Sequence, residues 1–199
     1  MKRLFAVLVF AMLIALPAAA QTPPPAPPAA PPAAAQAAPA WPTEPLSRAI
    51  FSGYNSIKMN LIESAAKVSE ADYSYQPTKD VRTFTQMFAH VANSQFSLCA
   101  AAKAEANPNK DNFEQTATTK PAVAKALADS FAYCDTVYLT LTDARALELI
   151  KAGQNQIPRA SRLMSNVAHD NEHYGNLVTM MRLKGLVPPS TERSQQPRK

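Results

Sequence analysis

The sequence is poor in histidine, since only three of its 199 residues are of this type. It also has only two cysteines, and its formal net charge of +5 comes from charges scattered along the chain. A nucleic-acid surface requires a basic stripe, and the sequence has none. No segment alternates apolar and polar residues convincingly, as a half-buried β-strand does. These shortages argue against a nucleic-acid partner and favour a helical domain.

Residues 1–20 have the pattern of a secretory signal peptide. A basic start precedes an apolar run from Leu4 to Leu16, and small residues follow up to Ala20. The apolar run is shorter than the ~20 residues that a membrane-spanning helix needs. No cysteine lies near the expected cleavage point, so nothing there suggests a lipid anchor. We expect cleavage after Ala20 and export, to a bacterial periplasm, with no membrane span in the mature protein.

Residues 21–45 consist almost entirely of proline and alanine. Such a composition lacks the apolar bulk for a core, so we expect a disordered, semi-rigid linker. The rest of the chain has the size of one ordinary domain. We assign residues 46–190 to this domain and residues 191–199 to a loose polar tail.

Four segments of the domain carry apolar residues at steps of three and four, the period of an amphipathic helix. The expected helices cover about 46–68, 83–106, 120–141 and 158–184. The second helix begins with a capping box, in which Thr83 and Gln86 have the required spacing. Four amphipathic helices in a domain of this size predict an all-α four-helix bundle.

Two other segments carry weaker signals. Residues 142–157 are ambiguous, and we expect at most a short helix over 143–151 that breaks before Gly153. Gly185 is suited to ending the last long helix, and Pro188 and Pro189 predict that no helix resumes after it.

The two cysteines, Cys99 and Cys134, allow two interpretations. In an oxidising compartment a pair of thiols can form a disulfide. Alternatively, both are small buried apolar residues, as free cysteine often is. The sequence does not decide between them, because a disulfide depends on the separation of the Cα atoms.

The histidines are placed where they could share a ligand. His169 and His173 lie one turn and about 40° apart on the last helix, at the border of its apolar face. His90 lies on the second helix, beside its apolar stripe. Three imidazoles from two facing helices would fill three of four positions around Zn²⁺, Ni²⁺ or Fe²⁺ and leave the remainder open. The alternative is three unrelated histidines, because H-x-x-x-H often arises by chance.

Residues 169–173 also spell H-x-x-E-H, the inverzincin protease pattern, with Glu172 as the general base. A protease of this kind needs a third ligand well downstream. Glu192 is the only carboxylate side chain that follows His173. Glu172 also points away from the apolar side of its helix, so the pattern does not favour a protease.

Two longer stretches resemble the DinB-like family. YSYQPTKDVRTFTQMFAHVANSQ, residues 73–95, is similar to the entry of that family's second helix, with its histidine about seven residues after the cap. HDNEHYGNLVTMMRLKGLVPPS, residues 169–190, is similar to its last helix. The resemblance covers residues 46–190 and implies a four-helix bundle in which His90, His169 and His173 bind a divalent metal. Zinc and nickel are the metals it implies most strongly, with iron as an option.

Function has two interpretations at this stage. The resemblance implies a metal-dependent enzyme of hydrolase or transferase type that acts on a small molecule, and some family members use thiol cofactors. Those cofactors are mostly cytosolic, which does not suit an exported protein. Arg162, Asp170 and Tyr174 are candidates for orienting a substrate or an imidazole. The alternative is a non-catalytic metal-binding or interaction module of the cell envelope; a homodimer is an option for its assembly.

Overall fold

The computed structural model describes residues 40–196. The predicted signal peptide and residues 21–39 of the predicted linker lie outside the described residues, as does the end of the polar tail. Between residues 40 and 196, no helix combines the length and the apolar character needed to cross a membrane.

The described chain is mostly helical, with one two-stranded hairpin and a short 3₁₀ turn at Glu70–Asp72. The helices are α1 (Pro45–Lys67), α2 (Phe84–Lys103), α3 (Phe113–Thr116), α4 (Lys120–Tyr138), α5 (Asp143–Leu147), α6 (Arg159–Leu183) and α7 (Pro189–Gln195). The antiparallel hairpin consists of β1 (Leu149–Ala152) and β2 (Asn155–Pro158).

The four long helices form the predicted bundle. Helix α2 packs against α4 and α6, and α1 packs against the same two helices. Their apolar faces meet in one core, where Tyr54 of α1 and Tyr138 of α4 are fully buried and stack at a centroid distance of 3.8 Å. The predicted capping box of α2 is present. The Thr83 hydroxyl accepts from the Gln86 N–H, and the Gln86 side-chain oxygen accepts from the Thr83 N–H. The all-α bundle is therefore confirmed.

Helix α1 is capped by another part of the chain. Its own cap residue, Glu44, makes no side-chain cap hydrogen bond. Instead, the carboxylate of Asp143 accepts from the backbone N–H groups of Leu46 and Ser47, at 3.1 and 2.7 Å. A carboxylate at this position satisfies free N–H groups and complements the positive end of the helix dipole. The cap fixes the start of α1 against α5.

The prediction that Pro188 and Pro189 prevent a further helix is wrong. Pro189 is the first residue of α7, a position where the missing N–H would have no partner in the helix anyway. The segment is anchored, because the Tyr174 hydroxyl donates to Ser190 Oγ at 2.8 Å and Arg193 pairs with Glu63 of α1. The tail that we expected to be loose is thus helical as far as Gln195.

The ambiguous segment contains the strands that the sequence did not reveal. Helix α5 ends at Leu147, and the chain turns back at Gly153, whose φ of +61° suits glycine. Ile150 pairs with Ile157 across the hairpin, and Ile150 is buried. Four-residue strands are too short to show a clear alternation. The expected helix over 143–151 is wrong beyond Leu147.

Cys99 of α2 and Cys134 of α4 form a disulfide, with the Cα atoms 5.4 Å apart. This separation lies within the usual range for the bond. Both residues are fully buried in the core. The disulfide interpretation is therefore the correct one, and the bond joins two helices that are 35 residues apart in sequence.

We predict that replacing both cysteines by alanine lowers the free energy of unfolding by about 3–4 kcal/mol, the entropy of closing a loop of this length in the unfolded chain. Urea unfolding of the oxidised protein and of the double variant measures the difference. Thiol titration of the denatured, unreduced protein is the control and should find no free thiol. A full complement of free thiols, or equal unfolding midpoints, would contradict the prediction.

Candidate metal centre

The three histidines, far apart in sequence, meet between α2 and α6. His90 Nε2 lies 3.2 Å from His169 Nε2, which lies 3.0 Å from His173 Nε2. One ligand atom from each residue lies within 4.8 Å of the ligand atoms of the other two, so the cluster could hold a metal ion. In a tetrahedral zinc site, two nitrogens at 2.0–2.1 Å from the metal lie about 3.3 Å apart. The observed spacings are close to this value.

Hydrogen bonds among the three rings satisfy both contacts only if His169 Nε2 shares one proton or one lone pair between them. A ring nitrogen carries either a proton or a lone pair, never both. His169 Nε2 contacts the other two Nε2 atoms, so it cannot donate to one and accept from the other. Two separate hydrogen bonds therefore satisfy the contacts poorly. A cation between three lone pairs removes this conflict, so the residues present fit a bound metal.

A carboxylate contacts His90 on the side of the ring that faces away from the other two histidines. His90 Nδ1 lies 2.8 Å from Glu114 Oε1, and Glu114 Oε2 accepts from Arg82 Nε at 2.9 Å. Burial acts to raise the pKa of Glu114, but the hydrogen bonds from Arg82 and His90 outweigh it and the net shift is downward. An ionised Glu114 can only accept a hydrogen bond, so it favours the tautomer in which His90 Nδ1 carries the proton and Nε2 presents its lone pair to the other two rings.

His169 lies beside a second carboxylate, which is buried. Asp170 Oδ1 is 3.7 Å from His169 Nδ1, and Asp170 Oδ2 accepts from Gln95 Nε2 of α2. Burial raises the pKa of Asp170 to about 6, and the nearby His169 ring opposes this rise. Within residues 40–196, neither Asp170 Oδ1 nor His169 Nδ1 has a hydrogen-bond partner.

His173 is the most buried ring of the cluster, and its residue is 7% exposed. Burial, followed by the charges of His169, His90 and Arg82, lowers the pKa of His173 to about 4. The imidazole is therefore neutral at neutral pH, which is the form that binds metal.

A buried polar network lies next to the cluster. Gln95 is fully buried and accepts from Asn166 Nδ2 at 3.0 Å while it donates to Asp170. Asn166 also donates to the hydroxyl of Tyr138 at 3.2 Å, and Tyr138 donates to the Leu163 carbonyl at 2.8 Å. These bonds fix the orientation of α6 against α2 and α4.

The other residues singled out from the sequence lie in different settings. Arg162 is half-buried, and its Nε has no hydrogen-bond partner within the described residues. Tyr174 is buried, but its hydroxyl is engaged with Ser190 at the contact with α7. Glu172 is exposed and is not part of the histidine cluster, so the structure gives the protease pattern no support.

Three residues of the site were missed by sequence reasoning: Arg82, Gln95 and Glu114. Gln95 did carry a signal, because it is a polar residue on the buried stripe that includes Val91 and Cys99. Arg82 and Glu114 lie in polar connections without periodicity, and only the folded chain brings them to His90.

The comparisons with known proteins agree with this architecture. The family model described as the DinB superfamily matches residues 56–177. No curated protein is significantly similar in sequence. A crystal structure of a DinB-like protein from Bacillus cereus is similar with a TM-score of 0.59 and 14% identity, over 70% of this chain and 93% of that one.

Two further solved structures share the fold. A DinB-like protein from Bacillus subtilis has a TM-score of 0.56 and 23% identity, over 72% of this chain and 96% of that chain. A mycothiol-dependent maleylpyruvate isomerase has a TM-score of 0.54 and 16% identity, and the match covers 67% of this chain and 60% of the isomerase. The family model matches more than half of the length of this chain, so this chain belongs to the DinB superfamily.

Proposed function

We propose that this protein is an exported, metal-dependent enzyme of hydrolase or transferase type that acts on a small-molecule substrate. Its metal ligands in this proposal are His90, His169 and His173. The observation that supports it is the approach of three Nε2 atoms, at 3.0 and 3.2 Å, in an arrangement that two separate hydrogen bonds satisfy poorly.

The ligand set favours a borderline metal. Imidazole nitrogen suits Zn²⁺ and Ni²⁺, with Fe²⁺ as a further option, and three protein ligands leave a position for water or substrate. A metal bound in this way supplies a Lewis acid and lowers the pKa of a bound water.

The protein's own residues would orient the ligands and the substrate. Asp170 is the strongest candidate, because its unpartnered Oδ1 faces His169 Nδ1 and can fix the orientation of that ring. Arg162 offers a buried Nε that has no hydrogen-bond partner among residues 40–196. Tyr174 is the weakest candidate, since its hydroxyl already bonds to Ser190.

A non-catalytic metal-binding module is the second candidate, and one observation favours it. All three histidines of the chain are in the cluster, so no histidine is left to act as a separate general base. The fold is also found in an isomerase named as mycothiol-dependent, which supports the enzyme. A thiol-dependent reaction fits less well with a protein that we propose to be exported.

We predict that the purified protein binds one equivalent of Zn²⁺ or Ni²⁺ and that His169→Ala weakens binding by more than the ~10–100-fold typical of losing an outer partner. Elemental analysis and calorimetric titration measure this. Glu172→Ala is the matched control, an exposed change on the same helix that should leave binding intact. Wild-type protein that binds neither metal would defeat the metal proposal.

If the protein is an enzyme, its activity should depend on the metal. We predict that a chelator abolishes turnover in a panel of ester, amide and thiol-transfer substrates and that added Zn²⁺ or Ni²⁺ restores it. Residual activity is measured before and after dialysis. Activity that is indifferent to the chelator would rule out the metal-dependent reaction, and inactivity on every substrate would favour the binding module.

Export is supported by the signal-peptide pattern and by the Cys99–Cys134 disulfide, a bond that persists in oxidising compartments. We predict that the mature protein begins at Gln21. Mass spectrometry of the intact protein from a periplasmic extract measures its N-terminus, and a change of Ala18 and Ala20 to bulky residues is expected to block processing. Full-length protein found only in the cytoplasm would contradict export.

A further inference from the structure

We propose that Glu114 is a positioning residue for the metal centre, which holds His90 in the tautomer and orientation that metal binding requires. This inference rests on the proposed metal site and assigns a role within it to a residue outside the histidine motifs. Metal-binding histidines usually donate their second ring N–H to a carboxylate or carbonyl, which fixes the ring and raises its basicity.

The first support is the contact itself. Glu114 Oε1 lies 2.8 Å from His90 Nδ1, on the side of the ring opposite the Nε2 that faces His169. Both side chains are shielded, with 26% of Glu114 and 22% of His90 exposed. A hydrogen bond to an ionised acceptor in such a setting is stronger than one between neutral groups.

The second support is that Glu114 is itself held in place from several directions. Arg82, from the connection before α2, donates to Glu114 Oε2 at 2.9 Å. Asn93, one turn after His90 on α2, accepts from the Phe113 N–H at 3.0 Å and donates to Asn112 at 2.9 Å. The short helix α3 is thereby fastened to α2 beside His90. The Glu114 carboxylate is therefore held in position to accept from the His90 ring.

The third support is the contrast among the three rings. In the described part of the chain, His90 is the only member of the cluster with a direct hydrogen bond between Nδ1 and a carboxylate. His169 Nδ1 is 3.7 Å from Asp170, and His173 Nδ1 has no partner within residues 40–196. Removal of Glu114 therefore takes away the strongest outer support of the site.

A purely structural ion pair between Arg82 and Glu114 is the competing explanation. It predicts that loss of the carboxylate changes stability slightly, as for most partly exposed pairs, and leaves metal affinity alone. Positioning predicts the opposite, a loss of affinity with little loss of stability.

The test is a titration of the full mature protein with Co²⁺, followed by its visible absorption, for the wild type, Glu114→Ala and Glu114→Gln. We expect Kd to rise about 10–100-fold for Glu114→Ala, and less for Glu114→Gln, whose amide oxygen can still accept from Nδ1. Glu105→Gln is the matched control. Glu105 follows α2 and pairs with Lys103, the last residue of that helix, at 2.9 Å, but it has no bond to the cluster. The Kd of this variant should therefore stay at the wild-type value.

A second readout does not require metal. In the wild-type apoprotein, ¹⁵N chemical shifts of His90 should show the proton on Nδ1, and Glu114→Ala should shift the ring towards the Nε2–H form. Unchanged Co²⁺ affinity in both Glu114 variants, or a wild-type His90 protonated on Nε2, would overturn the proposal. If Glu114→Ala does not fold, Glu114→Gln and the wild-type spectrum still decide. Failure of the wild type itself to bind Co²⁺ would instead refute the metal site.

Discussion

The convergence of three imidazole nitrogens between two helices is the constraint around which the rest of the structure is arranged. Nitrogens this close, at 3.0 and 3.2 Å, present lone pairs to one another unless a proton or a cation lies between them. The three nitrogens could hold a metal ion. Glu114 contacts His90 Nδ1 on the far side of the ring, and burial lowers the pKa of His173, which keeps this ring neutral. Each of these features increases the need for a positive charge at the centre.

The bundle supplies the rigidity that such a centre needs, since ligands on helices are held more accurately than ligands on loops. Gln95 connects α2 to α6 through Asp170 and Asn166, at the level of the histidines. The Cys99–Cys134 disulfide joins α2 to α4 a short way along the same helix. Glu114 comes from the short helix α3, and the hydrogen bond of Asn93 with the α3 segment compensates for that.

The sequence predicted the parts of this structure in which apolar residues recur at a regular helical spacing. Long amphipathic helices, the Thr83 capping box and the placement of His169 and His173 on one side of the last helix follow from steps of three and four residues. The grouping of His90 with that pair was implied by the resemblance to the DinB-like family. The hairpin and α7 were missed because four-residue strands and a helix that starts at Pro189 leave little local signal. Arg82 and Glu114 could not be predicted, because the contact of Glu114 with His90 and that of Arg82 with Glu114 depend on how the segments before and after α2 fold over it. The pairing of the cysteines likewise depended on a Cα separation that only the packed helices define.

We propose that three histidines from two helices bind one metal ion. X-ray absorption spectroscopy of the zinc- or cobalt-loaded protein tests this most directly, because it counts imidazole ligands and measures metal–nitrogen distances. We expect three imidazole nitrogens at about 2.0–2.1 Å, with the remaining coordination from a light atom such as water oxygen. A metal coordinated by one imidazole or by none would contradict the proposed site.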